Sequence, residues 1–164
     1  KLGYNPIFFS YPFGEYNLEQ KNYISNNFEF AFGQHSGVID LNKDRYELPR
    51  FPINEKYGEI KRFKEVISYL PLQYKIIKPE NKFMNDGENP PKMTIEFFED
   101  QKNLENINCF SNEGSKWRKT KIILIDNILN INFSEKFIER RGRINCSLKD
   151  ENGWRFSGFQ FVQN

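Results

Sequence analysis

Histidine and cysteine are scarce in this chain, and their scarcity narrows the chemistry open to it. The 164 residues include one histidine, His35, and two cysteines, Cys109 and Cys146. The cysteines do not form a C-x-x-C pair, which excludes a zinc ribbon and a thioredoxin-type motif. Two alternatives remain for them: a disulfide in an oxidising compartment, or two buried free thiols.

Long apolar runs and an excess of one charge are also missing. No apolar stretch approaches the ~18 residues that a membrane span requires, so we expect no span in this segment. The net charge is only +2 and both signs are interspersed. Without a basic run or a nucleic-acid motif, we expect no nucleic-acid partner. The chain also lacks an internal repeat and a low-complexity tract.

The beginning of the chain lacks the signs of a natural start. It opens with Lys1-Leu2-Gly3 and has no initiating Met, charged n-region or apolar h-region. We therefore expect a fragment of a longer protein. The absence of a signal peptide then says nothing about where that protein resides.

Aromatic side chains, by contrast, are abundant. The chain has 17 Phe and 8 Tyr, is 38% hydrophobic and is 28% charged. This composition is typical of a globular chain, and the length allows one ordinary domain or two small ones. The aromatic residues suit strands and stacking surfaces, although most Phe in any protein packs in a core.

The first half alternates between strand and helix signals. Asn17 and Gln20 form a capping-box pattern that predicts a helix over residues 18–26. A second helix is predicted from about Tyr57 to Pro71, with an apolar stripe that we expect to pack in the core: Ile60, Phe63, Ile67 and Leu70. An apolar run predicts a short strand at residues 7–11, and apolar alternation predicts one at residues 28–32. Residues 46–51, closed by Pro52, are a third strand candidate.

The second half reads as β structure. Residues 78–93 carry a linker signature of Asn, Pro and Gly. Beyond them, evenly spaced strands with turn residues between them favour an antiparallel sandwich. These strands are predicted at residues 94–98, 107–110, 121–125, 128–133, 143–147 and 154–162. In the last strand the aromatic register switches at Gly158, where we expect a bulge.

The most informative segment is Tyr11-Pro12-Phe13-Gly14-Glu15-Tyr16, where an apolar strand stops abruptly. Pro12 fixes φ, and Gly14 allows backbone angles that other residues resist. One interpretation of this segment is an ordinary buried strand with a Pro-Gly turn and no functional role. The segment resembles the third conserved motif of polysaccharide deacetylases, the NodB-homology enzymes of carbohydrate esterase family 4.

Other segments resemble the bacterial extracellular subgroup of the same family. Residues 32–38 (Phe-Gly-Gln-His-Ser-Gly-Val) and 48–54 (Leu-Pro-Arg-Phe-Pro-Ile-Asn) follow the first motif in the family's order and at about its spacing. The tail segments 89–91, 142–146 and 153–156 resemble a β-rich extension of that subgroup. Ser10 departs from the pattern, because many relatives carry there an Arg that positions the catalytic Asp.

The resemblance implies a fold class, α/β plus all-β. Residues 1–77 would be the C-terminal part of a deformed (β/α) barrel of the deacetylase type. Residues 78–93 would be a linker, and residues 94–164 a small antiparallel β-sandwich extension. The longer protein would be a hydrolase that removes N-acetyl, or O-acetyl, groups from an acetylated polysaccharide outside the cell or in the periplasm. The extracellular setting favours a disulfide between Cys109 and Cys146.

The resemblance also assigns roles. The Phe13 backbone N–H would hold the oxyanion of the acetyl carbonyl. His35 would protonate the leaving amine or bind substrate; a hydrogen-bonded polar residue is the alternative. Arg50 would orient a catalytic carboxylate or bind substrate, or else form a surface ion pair. The remaining substrate contacts would come from five residues of the turn: Tyr11, Pro12, Gly14, Glu15 and Tyr16. For Glu15 and Tyr16 the alternative is that they only support the turn.

Family members bind a divalent metal, with zinc favoured, through one Asp and two His. These ligands would lie before Lys1, and a single histidine cannot supply them, so we expect the fragment alone to bind no metal and to be inactive. Two rival functions remain. A non-catalytic carbohydrate-binding module would expose Trp117 or Trp154, and a structural domain would bury them. The oligomeric state is not predicted.

Overall fold

Strands provide most of the regular structure in the computed structural model, which describes residues 3–85 and 87–163. Strands hold 35% of the residues and helices 15%. The α-helices of the described residues are α1 (Leu18–Ser25) and α2 (Ile60–Val66). The strands are β1 (Phe8–Ser10), β2 (Phe30–Phe32), β3 (Leu70–Pro71), β4 (Ile76–Lys78), β5 (Phe83–Met84), β6 (Met93–Glu96), β7 (Asn108–Ser111), β8 (Arg118–Lys119), β9 (Lys121–Ile125), β10 (Ile128–Asn132), β11 (Arg141–Asp150) and β12 (Gly153–Gln163).

The prediction of a partial (β/α) barrel over residues 1–77 is wrong. The described chain is mostly β-sheet, with no closed barrel and no β/α barrel pattern. Its one β–α–β unit is β1–α1–β2, in which the two strands pair in parallel. Leu48 adds a single parallel bridge to Phe32. Because no helix separates β2 from Leu48, the strand–helix alternation that closes a barrel stops after one unit.

Helix α1 begins as predicted. The Asn17 side chain accepts a hydrogen bond from the Gln20 N–H at 2.8 Å, and the Gln20 side chain accepts one from the Asn17 N–H at 3.0 Å. Both halves of the capping box are therefore present. The helix ends at Ser25, one residue before the predicted end.

Helix α2 forms, but the expected packing of its apolar stripe in the core is wrong. Ile60, Phe63 and Ile67 are 69%, 42% and 64% exposed. The helix ends at Val66, and Leu70 belongs to β3. Helical spacing predicts which side chains share a face, whereas what covers that face depends on the rest of the fold.

Two larger sheets enclose the main core. One has the order β4-β6-β10-β9, and the other has the order β3-β12-β11-β7-β8, with β5 also paired to β12. The six strands predicted after residue 93 are all present as β6, β7, β9, β10, β11 and β12. Buried side chains of both sheets form one apolar cluster that includes Ile95, Leu129, Ile131, Ile144, Leu148, Phe159 and Phe161.

The predicted bulge at Gly158 is wrong. Strand β12 pairs with β11 without interruption from Arg141–Val162 to Asp150–Gly153. Phe159 and Phe161 face the main core. Phe156 lies on the opposite face of the strand, where its ring packs against Phe51 at 5.5 Å. The aromatic register switches because both faces of β12 are covered.

The N-terminal segment, residues 3–69, covers the face of β12 that points away from the main core. A methyl group on Gly158 would lie 2.4 Å from the Ser36 carbonyl oxygen, so the two backbones approach closely. The Gln160 side chain donates to the Gly14 carbonyl at 3.0 Å. Residues 78–93, predicted as a linker, include the end of β4 and all of β5, and both strands are paired into sheets.

Candidate functional site

Backbone hydrogen bonds bring the first two family-like segments to one edge of the parallel strands. The Tyr11 N–H donates to the Phe32 carbonyl at 3.0 Å, and the Gly33 N–H donates to the Leu48 carbonyl at 2.9 Å. Since β1, β2 and Leu48 run in parallel, the residues that follow them lie at the same carboxyl edge. In parallel sheets this edge is where ligand sites form.

The third segment joins the same edge. The Arg50 N–H donates to the His35 carbonyl at 3.0 Å. A methyl group on Gly14 would lie 2.5 Å from the Gln34 nitrogen, so the first turn touches the residue before His35. We call these three pieces, residues 11–16, 33–36 and 49–50, the candidate site.

The turn that begins at Tyr11 is tightly bonded and strained. Phe13 has φ 59° and ψ 6°, a left-handed conformation that a bulky residue rarely adopts, and Gly14 follows with φ 69°. Hydrogen bonds from Gly14 to the Tyr11 carbonyl, at 2.9 Å, and from Glu15 to the Pro12 carbonyl, at 3.1 Å, hold the turn. Backbone strain of this kind clusters at functional sites.

Glu15 connects the turn to the β-rich part. Its carboxylate accepts from the Arg141 guanidinium at 2.8 Å and from Arg140 at 3.0 Å. The same Arg141 guanidinium lies 5.1 Å from the centre of the exposed Phe13 ring. The Glu15 side chain, only 12% exposed, is therefore held by ion pairs and supports the turn.

Tyr16, a predicted substrate contact, is buried. Its ring stacks on Tyr11 with centroids 4.2 Å apart. The Tyr16 hydroxyl donates to the Glu47 carboxylate at 3.0 Å. Burial, reinforced by Glu47, raises the pKa of the Tyr16 hydroxyl well above its usual value. Tyr16 therefore acts as a neutral donor inside the fold.

Tyr11 has no comparable partner. Its hydroxyl is buried and makes no hydrogen bond within residues 3–85 and 87–163. Burial raises the pKa of this hydroxyl, and the nearby Asp44 carboxylate raises it further. Together with Pro12 and Glu15, Tyr11 lines an open pocket of about 510 Å³, whose other walls are Phe9, Asn17, Glu19, Gln20, Tyr23 and Ile24.

The His35 side chain is half-buried and lines a small cavity. It shares a cavity of about 10 Å³ with Tyr16, Glu47 and Lys82. Such a space has room for roughly one water molecule. Burial lowers the pKa of His35 to about 4, against the opposing effect of Glu47. The ring is therefore neutral at physiological pH, and this cavity cannot hold a sugar.

Arg50 and the two tryptophans are accessible. Arg50 is exposed and forms no ion pair with the residues described. Trp117 and Trp154 are 53% and 47% exposed. Both tryptophans therefore present much of their ring surface to solvent, as a stacking role requires.

Sequence reasoning missed a buried charged cluster behind the candidate site. Lys43 and Lys82 are only 9% and 8% exposed. Burial lowers the pKa of Lys43 to about 8, and it also lowers the pKa of Lys82. Nearby, Lys21 pairs with Asp44 at 2.5 Å. No sequence signal marks these lysines, because isolated lysines in polar stretches are ordinarily exposed.

The cysteines form a disulfide, with an S–S distance of 2.01 Å. Cys109 of β7 lies opposite Cys146 of β11, and both are fully buried. Among the residues with a described position, no group of three or more His, Cys, Asp or Glu is arranged to hold a metal ion. Neither α1 nor α2, nor any other described helix, has the length and apolar character of a membrane span.

We compared the chain with known families, curated proteins and solved structures. No family model matches the chain. Neither the curated proteins nor the solved structures include a significant match to it.

Proposed function

We propose that this chain is part of a metal-dependent polysaccharide deacetylase, a hydrolase that removes N-acetyl or O-acetyl groups from a glycan. The observation that carries the proposal is the convergence of three family-like segments at one edge of the parallel strands. These segments are separated by up to 39 positions between Tyr11 and Arg50, yet backbone hydrogen bonds hold them together.

In this proposal the Phe13 N–H stabilises the oxyanion that forms on the acetyl carbonyl. A fixed backbone donor is effective because it needs no reorganisation as negative charge develops. The strained turn, the ion pairs of Glu15 and the Arg141 guanidinium beside the Phe13 ring all immobilise this position. Arg50, exposed at the same edge, would bind substrate or orient a carboxylate.

The described residues do not fit the divalent metal of such an enzyme, so we derive no metal-dependent step from them. The proposal places the metal ligands, one Asp and two His, in polypeptide that precedes Lys1. A feature of β1 supports a further packing partner: within residues 3–85 and 87–163, β1 pairs with β2 along one edge only. Phe8 of β1 and Ile7 just before it are 57% and 45% exposed.

The proposal includes an extracellular or periplasmic location for the intact enzyme. The buried disulfide supports it, because disulfides persist in oxidising compartments and are rare in the cytosol.

The test is acetate release from N-acetylated chito-oligosaccharides and from O-acetylated glycans by the intact protein loaded with zinc. We expect release by the intact protein and none by the 164-residue chain. Arg50→Ala should lower kcat/KM by about 100-fold, because a charged contact at the reacting centre is lost. Lys61→Ala on α2 is the matched control and should act like the wild type.

Two results would contradict the proposal. One is an intact, zinc-loaded protein that releases no acetate from N-acetylated or O-acetylated glycans. The other is an Arg50→Ala enzyme with wild-type kcat/KM.

A carbohydrate-binding role without catalysis is the second candidate. It is favoured by the exposure of Trp117 and Trp154, since a purely structural domain would bury both rings. Glycan binding by the chain, combined with no acetate release by the intact protein, would select this alternative.

A further inference from the structure

The outward face of β7, β8 and β11 is open to solvent. Phe110 is 42% exposed between the fully buried Cys109 and Ser111, so its ring points away from the core. Strand pairing sets Lys119 opposite Phe110 on one side and Asn145 opposite Phe110 on the other. Trp117 shares the side of Lys119, because side chains two residues apart in an extended chain point the same way.

We call this surface the aromatic face, defined by six residues: Phe110, Trp117, Lys119, Arg143, Asn145 and Lys149. At its far end Lys149 lies opposite Trp154 of β12, with the ammonium 5.9 Å from the ring centre. From β8 to β12 the face crosses three strand spacings, or roughly 14 Å. That width accommodates an extended polymer.

The charge of the aromatic face has one sign. The outward positions of β7, β8 and β11 include no Asp or Glu. The cations Lys119, Arg143 and Lys149 are exposed and form no ion pair with any residue described. Three uncompensated cations beside aromatic rings favour an anionic ligand with flat apolar surfaces.

The aromatic face also continues into the candidate site. Both the Asn145 amide oxygen and the Ser36 carbonyl oxygen lie where a Gly158 side chain would project, at 2.7 Å and 2.4 Å. The Ser36 backbone of the candidate site therefore lies beside Asn145, at one edge of the aromatic face.

We propose that the aromatic face binds an acidic polysaccharide, with sugar rings stacked on Trp117 and Phe110 and carboxylates paired with Arg143 and Lys119. This inference rests on the proposed function, which it deepens by naming an anionic glycan as the substrate class. Guanidinium and carboxylate groups match in geometry, so Arg143 selects acidic sugars over neutral ones.

The test is calorimetric titration of the 164-residue chain with a hexamer of galacturonic acid and with neutral chitohexaose. We expect the acidic hexamer to bind at least about tenfold more tightly than the neutral one, equivalent to ~1.4 kcal/mol. Its affinity should fall as salt is raised, because the paired charges are exposed.

Two variants locate the binding. Trp117→Ala and Arg143→Gln should each weaken binding of the acidic hexamer about tenfold. The matched controls, Tyr4→Ala and Lys102→Gln, remove an exposed aromatic ring and an exposed cation elsewhere and should leave affinity unchanged. All four side chains are exposed or half-exposed, so we expect none of the substitutions to unfold the chain. An unchanged urea midpoint verifies this for each variant.

Equal affinity for the acidic and neutral hexamers would overturn the proposal, as would unchanged binding by Trp117→Ala and Arg143→Gln. Tighter binding of single-stranded DNA than of the acidic hexamer would assign the face to a nucleic acid and also overturn it. The galacturonate hexamer carries no acetyl group. Its binding together with no acetate release would support the aromatic face while contradicting the deacetylase proposal.

Discussion

At the scale of single residues, close backbone approaches decide where the candidate site lies. Gly14 touches Gln34, and Gly158 touches Ser36, at distances that leave no room for a side chain. The first contact joins two segments of the site to each other. The second joins the site to the β-rich part, so a single methyl group at either position would disturb the packing.

Gly158→Ala should lower the free energy of unfolding by about 2 kcal/mol, because its methyl group would overlap the Ser36 carbonyl oxygen, a backbone atom that cannot move aside as a side chain can. Urea unfolding measures this change. Ser147→Ala on the neighbouring strand is the control and should change stability by less than about 0.5 kcal/mol. A Gly158→Ala protein as stable as the wild type would show that the two backbones are not in close contact.

His35 makes a pH-dependent contribution to stability. Its folded pKa, about 4, lies below its usual value of 6.5. The unfolded state therefore binds more protons between these values, and stability falls as pH drops from about 6.5 to 4, by about 3 kcal/mol in total. Below pH 4 this group causes no further loss.

The NMR titration of His35 checks this prediction directly, because the chain has no other histidine. The imidazole signals of the folded protein should not shift above about pH 5, one unit above the folded midpoint. In His35→Gln the decrease in stability between pH 6.5 and 4 should be smaller. A folded-state titration midpoint near 6.5 would contradict the burial of the ring.

At the scale of elements, ion pairs and strands connect the two parts of the chain. The turn that contains Glu15 is linked to the start of β11 through Arg140 and Arg141. Strand β3 pairs with one end of β12, and β5 pairs with the other. The turn that resembles a catalytic motif is thus positioned by the β-rich part as well as by its own strand.

The Glu15 ion pairs should contribute measurably to stability. In a double-mutant cycle, Glu15→Gln and Arg141→Gln should show a coupling free energy of about 1 kcal/mol, since both side chains are largely removed from solvent. The cycle with Arg140→Gln should give a smaller coupling, because the Arg140 side chain is 58% exposed. Glu19→Gln, on the exposed surface of α1, is the control. Additive effects for Glu15 and Arg141 would refute the link.

At the scale of the whole molecule, the N-terminal segment and the two larger sheets share an interface. The Phe51 ring packs against both Tyr69 and Phe156, with centroids 5.8 and 5.5 Å away. Lys43 reaches the Ser157 hydroxyl at 3.2 Å. Because β12 is covered on both faces, neither part can separate without exposing apolar surface.

The chain should therefore unfold as one cooperative unit. The NMR signals of His35 report on the N-terminal segment, and the fluorescence of the two tryptophans reports on the β-rich part. We expect both signals to change at the same urea concentration. Phe51→Ala should lower the free energy of unfolding by about 2 kcal/mol and shift both urea midpoints together. Ile60→Ala, on the exposed face of α2, should lower neither. Two separate transitions would show that the parts are independent domains.

The sequence by itself determined the local elements of this protein. The capping box of Asn17 and Gln20 predicted α1, and alternation with turn residues predicted β6 to β12 except the two-residue β8. These signals depend on neighbours a few positions apart, such as the side-chain bond that caps a helix. Two of the family-like segments also marked the ends of β1 and β2, whereas the strand predicted at residues 46–51 is reduced to a single bridge at Leu48.

Only the tertiary structure decided what covers each element. The same kind of apolar pattern is exposed on α2 and buried on both faces of β12, because coverage depends on segments far away in the chain. For this reason the barrel, the bulge at Gly158 and the buried stripe were predicted wrongly. Likewise the surroundings of His35 include Glu47, 12 positions away, and Lys82, 47 positions away, which only the tertiary structure brings to it.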